Sequence, residues 1–183
     1  LCLDEAYVEF APEGTAPVIA AEDPRVIRMR TFSKAYGMAG ARIGYAVGAA
    51  ALIAAFDRIR NHFGVSRMAQ AGARAALHDG EWLAHVQGEV ARSRAQIARI
   101  AAENGLDSLP SAANFVAVDC GGDGAFARAV LDALVARGVF VRKPVAPPQD
   151  RCIRVSCGPE RAMAVLAETL PLALAEARHP GRG

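Results

Sequence analysis

Thr31-Phe32-Ser33-Lys34 and the Arg42 that follows place a lysine amine just after two hydroxyl groups and ahead of a guanidinium, with mostly small residues between. A lysine amine attacks a carbonyl carbon only when unprotonated, the form that a nearby positive charge or partial burial favours. Lys34 is therefore a candidate for capturing an aldehyde. Arg42 could supply that charge and also hold a phosphate. A guanidinium grips phosphate oxygens two at a time and a hydroxyl adds a directed donor, so Ser33 joins Arg42, with Thr31 the weaker third member. Upstream, Asp4 and Tyr7 form a D-x-x-Y pair. Downstream, Arg154 sits within Cys152-Ile153-Arg154-Val155, an apolar run in which an unpaired guanidinium is costly and calls for an anionic partner.

Each of these residues has an ordinary reading when taken alone. Asp4 reads as a strand-end turn or helix cap, Tyr7 as a core residue with its hydroxyl at the surface, and Lys34 as a solvated loop lysine. Arg154 could pair with a protein carboxylate, Arg142 could be an edge arginine in a basic loop, and Asn114 could serve a turn before a strand. Their occurrence as a set argues for chemistry. Gly37, Gly40 and Gly44 do not match G-x-G-x-x-G, so a dinucleotide turn is not indicated, and they read as positions of close backbone packing.

The elements around these residues place Lys34 at a strand end. Leu1-Cys2-Leu3 reads as the end of a buried apolar strand running into Asp4, Arg25–Arg30 as a strand entering the lysine loop, and Ile43–Gly48 as the strand leaving it. Helical periodicity covers 49–61, 66–77 and 80–104, the last breaking at Asn104-Gly105. Beyond Pro110 the pattern predicts a strand at 114–118, a helix at 124–137 capped by Gly138, strands at 139–142 and 152–155, and a helix at 159–177. That order suits a small α+β domain. The tail His179–Gly183 is expected to fray.

Composition narrows the class. The chain has 183 residues, 52% hydrophobic and 22% charged, enough for a core in one domain or two small ones. Twenty-one Lys and Arg against nineteen Asp and Glu leave a net charge of +2, too weak to argue for nucleic acid or an anionic membrane. Cys2, Cys120, Cys152 and Cys157 form no C-x-x-C pair and the histidines keep no metal-ligand spacing, so reduced thiols and no metal are expected. No apolar run approaches the roughly 20 residues of a membrane helix, and no signal peptide is visible.

Taken together, Asp4-Glu5-Ala6-Tyr7 and the stretch from Thr31 to Tyr45 resemble the pyridoxal-phosphate (PLP) aminotransferases of fold type I, and within them histidinol-phosphate aminotransferase and its near relatives. The resemblance extends over most of the chain. It implies an α/β fold: part of the PLP-binding large domain, a mainly parallel sheet with helices, over residues 1–85, followed by a small C-terminal α+β domain over 86–183. It also implies that these residues are roughly the second half of such an enzyme. The first half would supply a glycine-rich phosphate turn, an aromatic residue stacked on the cofactor and an asparagine beside its phenolic oxygen.

The resemblance assigns roles. Lys34 bonds to the cofactor and, once displaced by a substrate amine, moves the proton at Cα. Asp4 keeps the ring nitrogen protonated, Tyr7 bonds the phenolic oxygen, and Thr31, Ser33 and Arg42 hold the phosphate. Arg154 grips a substrate carboxylate, with Asn114 nearby to orient it, and Arg142 meets a substrate phosphate. Asn61–Ser66 departs from the Pro-Tyr-Asn-Val-Ser-like segment common in that family while keeping Val65-Ser66. The expected activity is transfer of an amino group from an amino acid or amino-alcohol phosphate, histidinol phosphate first, to a 2-oxo acid such as 2-oxoglutarate, by a cytoplasmic homodimer. The rivals are an aromatic transaminase, a phospho-amino-acid decarboxylase of the same fold, and an aminotransferase-like sensor domain.

Overall fold

The computed structural model of the chain describes residues 1–179. The segment 180–183, most of the tail expected to fray, lies outside the described residues. The chain divides into two compact units, Leu1–Gln87 and Gly88 onward. Helices and strands both occur in each unit, as in an α/β protein. Among the described residues no helix is long and apolar enough to cross a membrane.

In the first unit, β1 (Cys2–Asp4), β2 (Ile27–Thr31) and β3 (Gly44–Gly48) form one sheet in the order β1-β2-β3. β1 and β2 run parallel, with Asp4 beside Met29; β2 and β3 run antiparallel, with Thr31 opposite Gly44. In these residues the sheet is therefore mixed rather than mainly parallel. The physical reason is the connection: residues 32–43 contain no crossover helix, so the chain turns back on itself. The expected burial of the first strand also fails, since Leu1 is 76% exposed and Cys2 and Asp4 are exposed. Among the described residues β1 pairs with β2 alone.

Three helices follow. α1 (Ala50–Phe56) is shorter than the periodicity predicts, because Asp57 to Arg60 close as turns and the Asn61 side chain accepts from the Phe63 N–H at 3.0 Å. α2 (Arg67–His78) starts at Ser66, whose hydroxyl accepts from the Ala69 N–H at 3.1 Å, and it buries Ala69 and Ala73. α3 (Gly80–Glu103) ends where Gly105 adopts φ 69° and the Leu106 N–H returns to Ala101 O.

In the second unit, β4 (Asp107–Ser108), β5 (Phe115–Asp119) and β6 (Cys152–Ser156) form an antiparallel sheet in that order. Covering it are α4 (Gly124–Ala136), capped by the Asp123 carboxylate, and α5 (Glu160–Arg178). Ile97 and Ile100 of α3, Val118 of β5, Val130 and Leu134 of α4 and Ile153 of β6 meet in one apolar core. The strand expected at 139–142 is reduced to a single bridge between Arg142 and Arg154. Two causes are visible: the Val139 N–H is taken by Leu134 O in closing α4, and Pro144, which has no N–H, follows the bridge.

Candidate active site

The lysine loop is a turn anchored by its aromatics. The Thr31 hydroxyl accepts from the Ser33 N–H at 3.0 Å, folding the chain as it leaves β2. Gly37 N–H returns to Lys34 O and Met38 N–H to Phe32 O, with Gly37 at φ 69°. Phe32 and Ala35 are buried, and the Phe32 ring packs on Tyr36 and Tyr45 with centroids 5.0 and 5.7 Å apart. Burying those two side chains leaves Ser33 and Lys34 half-buried beside them.

Lys34 Nζ lies 5.1 Å from the centroid of the Tyr7 ring, within cation–π range. Tyr7 leads into a short turn at Val8–Phe10 soon after β1, and Asp4 ends β1 itself, one carboxylate oxygen accepting from the Ala6 N–H at 3.0 Å. Arg42 is exposed, donates to Ala39 O at 2.8 Å, and has φ 52°. It is the one non-glycine in the left-handed region among the described residues, a conformation that costs on the order of 1 kcal/mol and gathers at functional sites. The fold thus brings Lys34 to Tyr7 and sets Asp4 at the end of the strand beside the one that feeds the loop.

A polar cluster that sequence reasoning missed lies in the same unit. Glu5 accepts from Arg28 Nε at 2.9 Å and from Arg30 Nε at 2.8 Å. Burial pushes its carboxyl up, but these two guanidiniums outweigh that and hold it below the ordinary value. Glu9 lies 3.7 Å from Arg30, its carboxylate oxygens buried without a hydrogen bond, and burial pushes its carboxyl up. Burial, with the Glu9 and Tyr45 charges, raises the Tyr36 phenol. The readable signal was Arg28-Met29-Arg30, whose alternation inside a strand puts two positive charges on one face and requires an acid opposite.

In the second unit Arg154 lies in β6 with its guanidinium 4.9 Å from the Phe115 ring centroid, and its Nε is buried without a hydrogen-bond partner. Arg142 is exposed and bridges Arg154 through the backbone. Asn114 contributes its carbonyl to the Cys157 N–H at 2.9 Å; among the described residues no bond joins its side chain to Arg154.

The family model described as aminotransferase class I and II matches residues 1–170. The chain belongs to this family. Among its relatives in the class I and II aminotransferases, histidinol-phosphate aminotransferase 2 of Ralstonia nicotianae is 42% identical over 179 residues, covering 96% of this chain and 48% of that protein. The histidinol-phosphate aminotransferase of Gluconacetobacter diazotrophicus is 36% identical over 172 residues, covering 92% of this chain and 47% of that protein. The crystal structure of histidinol-phosphate aminotransferase from Sinorhizobium meliloti in complex with pyridoxal-5'-phosphate superposes with a TM-score of 0.92 at 51% identity, over 96% of this chain and 48% of that one. This aminotransferase chain spans about half the length of the relatives it matches.

Proposed function

We propose that this chain carries the lysine and the substrate arginines of a PLP-dependent aminotransferase that moves an amino group from histidinol phosphate, or a similar amino-alcohol phosphate, to 2-oxoglutarate. The observation that carries the reading is Lys34 Nζ over the Tyr7 ring, in the loop that leaves the strand paired with Asp4's. The donor set fits the group: an amine for its aldehyde, a carboxylate for its ring nitrogen, a phenol for its phenolic oxygen, and two hydroxyls with a guanidinium for its phosphate. When bound, PLP draws electron density from the substrate α-carbon into its ring.

In this reading Lys34 Nζ holds the cofactor and carries the proton at Cα. Asp4 keeps the pyridine nitrogen protonated, Tyr7 donates to the phenolic oxygen, and Thr31, Ser33 and Arg42 bind the phosphate. Arg154, with its buried unbonded Nε, takes a substrate carboxylate, and Arg142 takes a substrate phosphate. Asn114 sits at the start of the strand facing Arg154's own. Residues 1–85 belong to the cofactor-binding domain and 86–183 to the small domain.

The proposal includes a homodimer, supported by the apolar side chains of Ile59, Phe63 and Met68, which are 83%, 94% and 84% exposed. It includes a cytoplasmic location, supported by four free thiols. The test is the absorption spectrum of the full-length protein with PLP, then borohydride reduction and peptide mass mapping. A pyridoxyl adduct on Lys34, lost in Lys34→Ala together with amino transfer, is expected. No adduct, or substantial turnover by Lys34→Ala, overturns the reading.

A further inference from the structure

Two faces of the β1–β2 pair have different characters. Side chains alternate along strands, and neighbours in a parallel pair share a face. Asp4, Met29 and Thr31 therefore point to one side, and Leu3, Arg28 and Arg30 to the other, with Glu5 continuing the second set. The first face carries candidate cofactor groups. The second carries the polar cluster.

We infer that Glu5 is a positioning residue that fixes Asp4 relative to the Lys34 loop, through a carboxylate held between Arg28 and Arg30 on the opposite face of the sheet. The inference rests on the roles proposed above for Asp4 and Lys34. Among the described residues β1 pairs with β2, from Cys2 beside Ile27 to Asp4 beside Met29, and that register sets the face Asp4 presents. A slip of one residue would turn Asp4 to the wrong face.

Glu5 opposes that slip twice. Its N–H donates to Met29 O at 2.9 Å, and both carboxylate oxygens are used, Oε1 by Arg28 and Oε2 by Arg30. The Glu5 side chain is 4% exposed, so a slipped strand would strand two guanidiniums without their acid. Planar forks of this kind fix direction as well as distance.

The constraint reaches the loop itself. Arg30 also bonds Tyr45 on β3, and Tyr45 packs on Phe32, two residues before Lys34. Glu5 thus ties the end of the Asp4 strand to the start of the lysine loop without touching either candidate group. Stability alone would not require this arrangement, since apolar residues of similar volume often replace a buried ion pair without loss. What the pair adds is register.

The test uses the full-length protein and four forms: wild type, Glu5→Gln, Arg28→Gln, and Ala73→Gly as a control that loosens a buried helix contact in the same unit. The readouts are the PLP dissociation constant, the visible circular dichroism per bound PLP, which reports how the ring is held, and the melting temperature. Glu5→Gln is expected to weaken PLP binding about tenfold, the size seen when groups orienting a ligand side chain are removed, and to reduce the dichroic band. Arg28→Gln should move both in the same direction by less, and Ala73→Gly neither. Wild-type affinity and dichroism in Glu5→Gln overturn the inference, whatever the melting temperature. If Glu5→Gln does not fold, Arg28→Gln decides, and its matching the wild type overturns the inference too. A wild-type protein that gives no pyridoxyl adduct on Lys34 overturns the functional reading and this role together; an adduct with an unaltered Glu5→Gln overturns this role alone.

Discussion

Arg142 and Arg154 stand directly opposite each other across an antiparallel bridge, the Arg142 N–H donating to Arg154 O at 3.1 Å and the Arg154 N–H to Arg142 O at 2.6 Å. Residues opposed in this way share a face, with Cα atoms about 5.5 Å apart, and like charges there repel. Among the described residues neither guanidinium has an acidic side chain within ion-pair distance. In the proposed reading an anionic substrate group bound by either guanidinium would relieve that repulsion.

The first prediction follows from that pairing. Arg154→Gln should raise KM for 2-oxoglutarate by roughly tenfold or more, the worth of one hydrogen bond to a charged group. Arg142→Gln should raise KM for a phosphate-bearing donor, leave KM for 2-oxoglutarate nearly unchanged, and melt no lower than the parent, because it removes a repulsion. Steady-state kinetics with the two substrates varied separately, plus a melting curve, check each of these outcomes. A lower melting temperature for Arg142→Gln would mean that the exposed arginine has a structural partner.

Gly44 is required by close approach. A Cβ there would lie 2.6 Å from the Arg30 carbonyl oxygen, which is backbone and cannot rotate away. Gly44→Ala must push β3 off β2 beside Thr31, at a cost of about 1–3 kcal/mol. A lower denaturation midpoint and weaker PLP loading are expected. Wild-type values for both would show that the strands separate freely at this point.

Leu134 anchors the core of the second unit and is 0% exposed. Leu134→Ala should lose about 2–5 kcal/mol in urea unfolding of that unit, from lost transfer energy and the cavity left behind. A loss well under 1 kcal/mol would mean that the core refills around the gap.

Acid sensitivity should follow Glu5. Its folded carboxyl titrates below the ordinary 4.5, so its stabilising contribution is complete above that value and is lost as pH falls through the lower folded value. Glu9 has the opposite sign: its carboxyl titrates above 4.5, so its contribution is present at low pH and lost as pH rises. Melting temperature measured from pH 3 to 7 should fall less steeply on the acid side in Glu5→Gln than in the parent. Parallel acid limbs would remove Glu5 as the group responsible.

Much of the local architecture was legible in the chain. Asn104-Gly105 after α3 and Gly138 after α4 mark helix ends because a cap acts within a few residues of itself. The lysine loop was legible for the same reason, since Thr31, Ser33, Lys34 and Arg42 fall in one short segment. The Arg28-Met29-Arg30 alternation was equally visible, yet nothing local says that Glu5, more than twenty positions earlier, supplies the acid.

The amino-acid sequence by itself determined the helices of the second unit, the lysine loop at a strand end and the family, because periodicity, caps and short motifs are written in neighbouring residues. Only the tertiary structure decided that β3 returns antiparallel, that 139–142 makes one bridge rather than a strand, and that Arg142 faces Arg154. Each of these depends on which distant backbone groups find each other. That choice is made by register and connection geometry across the fold, where a shift of one residue reverses the face a side chain presents.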